Sequence, residues 1–173
     1  MEVPDAVRVF IAAQNTLTLA TTNADGSPHA CDLFYAYADD AFYFLSDPKT
    51  RHVQNLAREP RVSLTIHGAS RGWQDIRGIQ IDGLAARVDD RAERARAFAQ
   101  YLAKYAFVRE FLPSVEMLGR AHEIFGVVDL YKLTPRWLRW IDNSIEFGYK
   151  IELETEHASF DYAALRSGRN TAS

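Results

Sequence analysis

Leu17-Thr-Leu-Ala-Thr-Thr-Asn-Ala-Asp-Gly-Ser-Pro-His29 is the stretch on which the fold turns. Leu and Thr alternate up to Thr22, the period of a half-buried strand. Asn23 to Ser27 supply a turn, and Asp25-Gly26 is a pair that closes a tight hairpin, because Gly accepts the positive φ such turns need. A second strand is predicted from Pro28 to about Tyr37, then a turn at Asp39-Asp40 and a third strand over Ala41–Ser46. Consecutive strands joined by turns predict a meander of antiparallel pairs, since parallel neighbours need long crossovers.

The flanking sequence extends this pattern. Val3, Val7, Phe10 and Ile11 share one helical face, so a short amphipathic helix is expected near 4–15. A helix over 48–58 follows the third strand. Val62, Leu64 and Ile66 alternate with Ser63, Thr65 and His67, the mark of a half-buried strand. Another strand is expected from Trp73 to Val88, with Gly83 as a bulge or point of close approach. Asp90-x-x-Glu93 is a capping-box variant opening a long helix whose buried stripe is Ala95, Phe98, Leu102 and Tyr105; it continues, with a break, through Val108–Leu112 to Pro113. Residues 121–133 are apolar on both faces in the middle, as a central strand would be. Trp137–Asp142 and Phe147–Leu153 provide one or two further strands. The sum is a mainly β protein with flanking α-helices: an antiparallel barrel forming a single domain over residues 1–153, with a polar C-terminal tail over 154–173.

Composition narrows the function classes. The chain has 173 residues, 47% hydrophobic and 25% charged, enough for one domain with a sizeable core. A formal charge of −3 without a long basic block gives no footprint for nucleic acid. There is one cysteine, Cys31, so no internal disulfide forms. The start lacks the basic and apolar regions of a signal peptide, and no apolar run reaches bilayer length. A cytoplasmic protein without membrane or nucleic-acid partners is the expectation. Gly-rich dinucleotide loops, a Walker A loop and a Gly-x-Ser-x-Gly elbow are all missing. The five histidines (29, 52, 67, 122, 157) show no zinc-type spacing, and no metal site is expected.

Binding chemistry gathers at Ser46-Asp-Pro-Lys-Thr-Arg-His-Val-Gln-Asn-Leu56. Asp47 is a good N-cap, and Pro48 suits the first helical position. Lys49, Thr50, Arg51 and His52 then fill the first turn, beside free N–H groups and the positive end of the helix dipole, which favours a phosphate. The competing reading is an ordinary capped surface helix with a basic first turn. On the second strand, His29 and Cys31 share a face, which admits a thiol nucleophile; the competing reading makes Cys31 a small buried hydrophobe. Asp32 is either a buried acid with a raised pKa or a hydrogen-bonded, edge-exposed aspartate.

The order of these pieces resembles the flavin-binding split-barrel family of pyridoxamine 5′-phosphate oxidase-like proteins. The matching segments are Leu17–His29, Phe42-Tyr-Phe-Leu-Ser46 with Lys49-Thr-Arg-His52, Asn55–Leu64 and Ile79-Gln-Ile-Asp-Gly83, together covering about residues 5–142. Near the end, Trp140-Ile-Asp-Asn-Ser-Ile-Glu-Phe-Gly148 is similar to a segment of a small bacterial branch of that family. The resemblance implies an antiparallel split β-barrel that binds FMN at a homodimer interface. Ser46, Thr50 and Arg51 match the family's phosphate-binding hydroxyl, hydroxyl and arginine positions, with Lys49 beside them. His52 stands where a Lys is common, giving a weaker, pH-dependent charge. The isoalloxazine would run along the backbone of His29, Ala30, Cys31 and Asp32, and Trp140 and Asn143, contributed by the partner subunit, would line its open face, with Phe147 and Gly148 in the same wall.

Departures from the pattern bear on activity. Vitamin-oxidising members carry an Arg and a Lys where this chain has His29 and Phe34, and a flavin-touching Gln where it has Gly78. Their C-terminal arginine motif has no counterpart in Ala158–Ser173. Pyridoxine phosphate oxidation is therefore not expected. The resemblance implies an FMN-dependent oxidoreductase moving hydride or electrons between a nicotinamide donor and a small acceptor. The alternative is a non-catalytic flavin or haem carrier or sensor on the same barrel, with His122 or His52 as an iron ligand.

Overall fold

The computed structural model describes residues 3–107 and 128–154. Helix α1 (Asp5–Ala13) buries Val7, Phe10 and Ile11, the apolar face predicted for it. Strands β1 (Thr16–Thr22), β2 (Pro28–Phe34), β3 (Ala36–Ala38) and β4 (Ala41–Ser46) follow, then the short helix α2 (Arg51–Leu56). Strands β5 (Arg61–His67) and β6 (Arg77–Arg87) precede helix α3 (Arg91–Lys104), and β7 (Asp129–Asp142) and β8 (Lys150–Glu154) complete the described elements. All neighbours pair antiparallel in one eight-stranded sheet, in the order β2-β1-β5-β6-β7-β4-β3, with β8 also on β7.

The expected second strand is two strands. β2 pairs with β1 at one edge of the sheet, and β3 pairs with β4 at the other. Only Tyr35 separates them. A sheet whose outermost strands are joined by a single residue cannot lie flat, so it curls into a half-barrel. Tyr35 is fully buried at the crossing. Its hydroxyl donates to the Ile11 carbonyl at 2.7 Å, and its N–H donates to the Tyr105 hydroxyl at 3.2 Å.

The barrel core follows the period of two. Leu17 and Leu19 of β1, Val62, Leu64 and Ile66 of β5, and Ile79 and Ile81 of β6 point inward. Strand β4 is buried on both faces: Phe42 and Phe44 enter the barrel, while Ala41 and Tyr43 lie in a second cluster with Ala97 of α3. The buried stripe of α3 is Ala97, Phe98 and Tyr101, with Tyr105 at its C-cap. The expected Ala95 and Leu102 are only partly buried, so the helix is turned from the predicted face. Asp90 caps it by accepting from the Glu93 N–H at 2.7 Å. The return half of the capping box is absent, because the Glu93 carboxylate accepts from Tyr43 Oη at 2.8 Å and Lys132 Nζ at 2.6 Å.

Strand β7 runs unbroken through the predicted boundary near Trp137. Its first part pairs with β4 and its last part with β8 on the same edge, while β6 lies along the other. The register shifts at Asp82/Gly83, opposite Pro135, and on the other edge residues 134–136 fall between the segments paired with β4 and β8. A Cβ on Gly83 would collide with the Thr134 carbonyl oxygen. The strand expected over Phe147–Leu153 begins only at Lys150, because the chain first turns back with Asp142 N–H on the Tyr149 carbonyl and Gly148 at φ 78°. Of the predicted strand over 121–133, the part before 128 lies outside the described residues, as do the helical continuation at Val108–Leu112 and the tail from 155.

Two stability outcomes follow from these contacts. Gly83→Ala should destabilise the protein by about 2–3 kcal/mol in urea unfolding, since backbone and not a pliable side chain fills the space. The Lys132 ammonium first, and the Tyr43 hydroxyl after it, hold the Glu93 carboxyl below its usual value against a desolvation effect of opposite sign. A depressed folded-state pKa stabilises above the unfolded value of about 4.3 and ceases to as pH falls through the folded value. Wild type should exceed Glu93→Gln by about 0.5–1 kcal/mol at neutral pH. That advantage should disappear in acid; a gap that persists there would exclude the ion pair as its source.

Candidate functional site

Strand β4 delivers Ser46 to the corner, but the corner is built differently from the expectation. Asp47 does not cap α2. Its carboxylate accepts from Lys49 N–H at 2.7 Å, and its carbonyl accepts from Thr50 N–H at 2.9 Å and from Thr50 Oγ1 at 2.8 Å. These bonds close a separate turn over Asp47–Thr50, and the helix starts only at Arg51, with Thr50 as N-cap and no side-chain cap. Pro48 thus precedes the helix. With six residues, α2 is also too short to sum much of a dipole.

The basic cluster of the sequence is divided by the helix period. His52, Val53, Asn55 and Leu56 face inward, whereas Arg51 faces solvent together with Lys49 of the preceding turn. Neither Lys49 nor Arg51 is ion-paired with a described residue. Asn55, 1% exposed, docks the helix: its Nδ2 donates to Thr21 Oγ1 and Asn23 Oδ1, both at 3.0 Å, and its Oδ1 accepts from Arg58 at 2.6 Å.

Beneath α2 lies a polar nest. His52 Nε2 is 2.7 Å from Ser46 Oγ and 3.2 Å from Thr50 Oγ1, and the two hydroxyls are 3.1 Å apart. Because the Thr50 proton goes to the Asp47 carbonyl, only one assignment puts a proton in every contact. His52 Nε2–H donates to Ser46, Ser46 donates to Thr50, and Thr50 donates to Asp47. The bare Nδ1 of His52 then faces Cys31 Sγ at 3.4 Å. His29 stands two residues along the same face of β2, across from Thr21 as Cys31 is across from Leu19. Burial first, then His29, pushes the His52 imidazole below its ordinary pKa. Burial first, then Asp32, pushes the Cys31 thiol up. His52 is therefore neutral and inward, which corrects its expected place as a cationic phosphate contact.

The other predicted residues separate clearly. Ala30 and Asp32 lie on the exposed face of β2, where Asp32 accepts from Thr18 Oγ1 at 2.6 Å, so it is the hydrogen-bonded edge aspartate of the two readings. β2 is an edge strand whose alternate N–H and C=O groups turn away from β1. Trp140 is 4% exposed in the barrel core, with its ring centroid 4.8 Å from that of Phe10, so it lines no open face. Asn143 braces the loop after β7, donating to the Trp73 carbonyl at 2.8 Å and accepting from Gly148 N–H at 3.0 Å. Both lie at the far end of β7 from the residue that pairs with Ser46. Phe147 is 74% exposed against the edge of Trp73. Sequence reasoning missed the contact of Cys31 with His52 and the buried role of Asn55; the polar residues at i and i+3 of a helix with inward neighbours were the available signal for both.

A cavity of about 360 Å³ opens on the opposite face of the sheet, lined by Thr22, Arg61, Ser63, Asp82, Arg136 and Trp137 among others. Arg61 there is paired with Glu59, two residues earlier in the chain, and Asp82 accepts from Ser63 on the neighbouring strand. It includes none of the corner residues. The corner carries the convergent unpaired chemistry and is the better candidate.

Curled antiparallel sheet, flanking helices and a strand-to-helix corner define a split-barrel protein. A family model described as pyridoxamine 5′-phosphate oxidase matches residues 3–140, and the chain belongs to that family. A UPF0306 protein of Klebsiella pneumoniae is 28% identical over 153 residues, which are 87% of this chain and 92% of the relative. The haem-binding protein of Mycobacterium smegmatis superposes with a TM-score of 0.67 at 23% identity, over 89% of this chain and 60% of that one. An FAD-binding protein of Mesorhizobium loti gives a TM-score of 0.54 at 18% identity, over 77% of this chain and 87% of that one. These last two likenesses show the shared fold. No helix among the described residues is long and apolar enough to cross a membrane.

Replacing Asn55 by Ala strands Thr21, Asn23 and Arg58 as well as removing the amide. Urea unfolding should register a loss of about 1–3 kcal/mol. A neutral result would remove Asn55 as the anchor of the corner.

Proposed function

We propose that this chain binds FMN between two copies of itself and passes hydride or electrons through it, from a nicotinamide donor to a small acceptor. The observation that carries the reading is the pair of exposed, un-ion-paired cations, Lys49 and Arg51, beside Ser46 and Thr50 in a chain of the pyridoxamine 5′-phosphate oxidase family. An ammonium and a guanidinium fork suit a phosphate monoester dianion. The two hydroxyls already serve His52 and Asp47, so the cations rather than the hydroxyls supply the holding charge. The outward backbone groups of β2 at His29–Asp32 suit the polar edge of an isoalloxazine and need no special side chain.

When bound, the flavin supplies the redox chemistry. The chain's own part is to anchor the phosphate, present the β2 edge and exclude water from one ring face. His52 does not stand free as a general base, with Nε2 committed to Ser46 and Nδ1 set against Cys31. Ligation of a haem iron through Nε2 of His52 would break the nest, and its Nδ1 lies against Cys31 Sγ rather than open to solvent. His122 lies outside the described residues.

Arg51→Ala should weaken FMN binding by roughly 1.5–3 kcal/mol in a fluorescence titration, the scale of a charge-assisted hydrogen bond. Unchanged affinity would exclude the phosphate assignment. The visible spectrum of purified protein separates the cofactors: a flavin spectrum bleached by NADH or NADPH and restored in air supports the oxidoreductase, and a Soret band supports a haem carrier. Light scattering of the FMN-loaded protein should give a dimer, and a monomer would remove the shared site.

A further inference from the structure

We propose that His29, Cys31 and His52 form a binding site for a zinc-type divalent transition-metal ion, with its fourth position open to water. The site goes beyond the flavin reading and needs no flavin, because it uses the inward side of the corner.

The donor geometry is close to what such an ion requires. One ligand atom from each residue lies within 4.8 Å of the others. With Zn–N near 2.1 Å and Zn–S near 2.3 Å, tetrahedral ligands stand about 3.4–3.6 Å apart. The Cys31 Sγ to His52 Nδ1 separation is already 3.4 Å. His29 precedes Cys31 by one strand period, so both reach the same face of β2, and α2 lowers His52 onto that face from above. The two edges to His29 lie within 4.8 Å, and metal binding would draw its side chain in to shorten both.

The hydrogen-bond relay supplies what a metal-binding histidine needs from its surroundings. Donation from Nε2–H through Ser46 and Thr50 to the Asp47 carbonyl holds the His52 ring and leaves Nδ1 as a bare lone pair. A partner on the distal nitrogen is the usual means of orienting such a ligand. Thiolate and imidazole together select zinc-like or softer ions over magnesium or calcium. Asp32, the nearest carboxylate in sequence, is on the other face of the strand and adds no hard ligand. Binding replaces the Cys31 thiol proton with the ion, and that proton leaves to solvent. Three protein ligands leave room for one water, the arrangement of a site that can also take an exogenous ligand.

The sequence concealed the site because His-x-Cys and a histidine on a later helix fit no zinc spacing. Only the meeting of β2 with α2 brings them together.

The test is a cobalt titration of reduced, flavin-free, full-length protein. The expected result is saturation at one ion per chain, with a thiolate-to-cobalt charge-transfer band and the intense visible bands of tetrahedral cobalt, both abolished by zinc. Cys31→Ser should eliminate the charge-transfer band. His29→Ala and His52→Ala should each weaken binding by more than the roughly 10–100-fold that loss of an orienting partner costs, and Ser46→Ala should fall within that range. His67→Ala, on the exposed end of β5, should change nothing. Wild-type protein gives a reading that no folding defect can blur: Cys31 is the only cysteine, so zinc should slow its alkylation by iodoacetamide, followed by mass. Absence of the charge-transfer band, its survival in Cys31→Ser, or an alkylation rate indifferent to zinc would overturn the site. FMN titration of the same preparations is read separately, so loss of either proposal leaves the other standing.

Discussion

Tyr35 carries the chain from one edge of the sheet to the other in a single residue, and the rest of the structure is arranged around that crossing. β2 and β3 are the outermost strands, so the sheet has no choice but to curl and bring its two edges near one another, though they do not pair. The ring fills the point of closure with no exposed surface, held by Ile11 and Tyr105. Those partners tie α1 and the segment after α3 to the same point. The barrel core, and the aromatic layer of Phe42 and Phe44 inside it, exist because the curl turns one face of every strand inward.

Curling also creates the corner. In a flat sheet β2 and β4 would be the width of several strands apart. Here the end of β4 and the helix that follows it come over β2, so His52 meets Cys31. Asn55 fixes how α2 sits by bonding β1 and the first hairpin, and α2 in turn decides which side chains look inward. Local chemistry then sets the electrostatics. Cationic groups are left outside on Lys49 and Arg51, and a neutral, hydrogen-bonded nest is left inside. One corner therefore presents two different surfaces, a cationic one outside and a hydrogen-bonded one inside.

Much of the fold was legible. The first helix, the Asp25-Gly26 hairpin, the β4 and β5 strands, the irregularity at Gly83 and the Asp90 cap all carry local signals, and each is where its signal lies. The errors share one cause. Tyr35 was read as part of a continuous strand because its break is enforced by distant partners at Ile11 and Tyr105. Asp47 was read as a helix cap because Asp before Pro has that propensity, yet its oxygens close an earlier turn. Trp140 was read as a wall of an open flavin face, yet packing against Phe10 puts its ring in the barrel core. The α3 stripe was shifted because both Phe98 faces contain apolar residues, and packing on Ala36 and β4 decides between them.

By itself the sequence determined the antiparallel class, the positions of the turns and the residues that crowd the 46–56 corner, because period-two alternation, Gly turns and aromatic strands act over a few neighbours. The tertiary structure alone decided that the sheet curls, that His52 is inward and neutral, and that Cys31 has an imidazole against it. Those facts depend on contacts between residues far apart in the chain, where burial sets ring orientation and proton placement, and no local spacing encodes them.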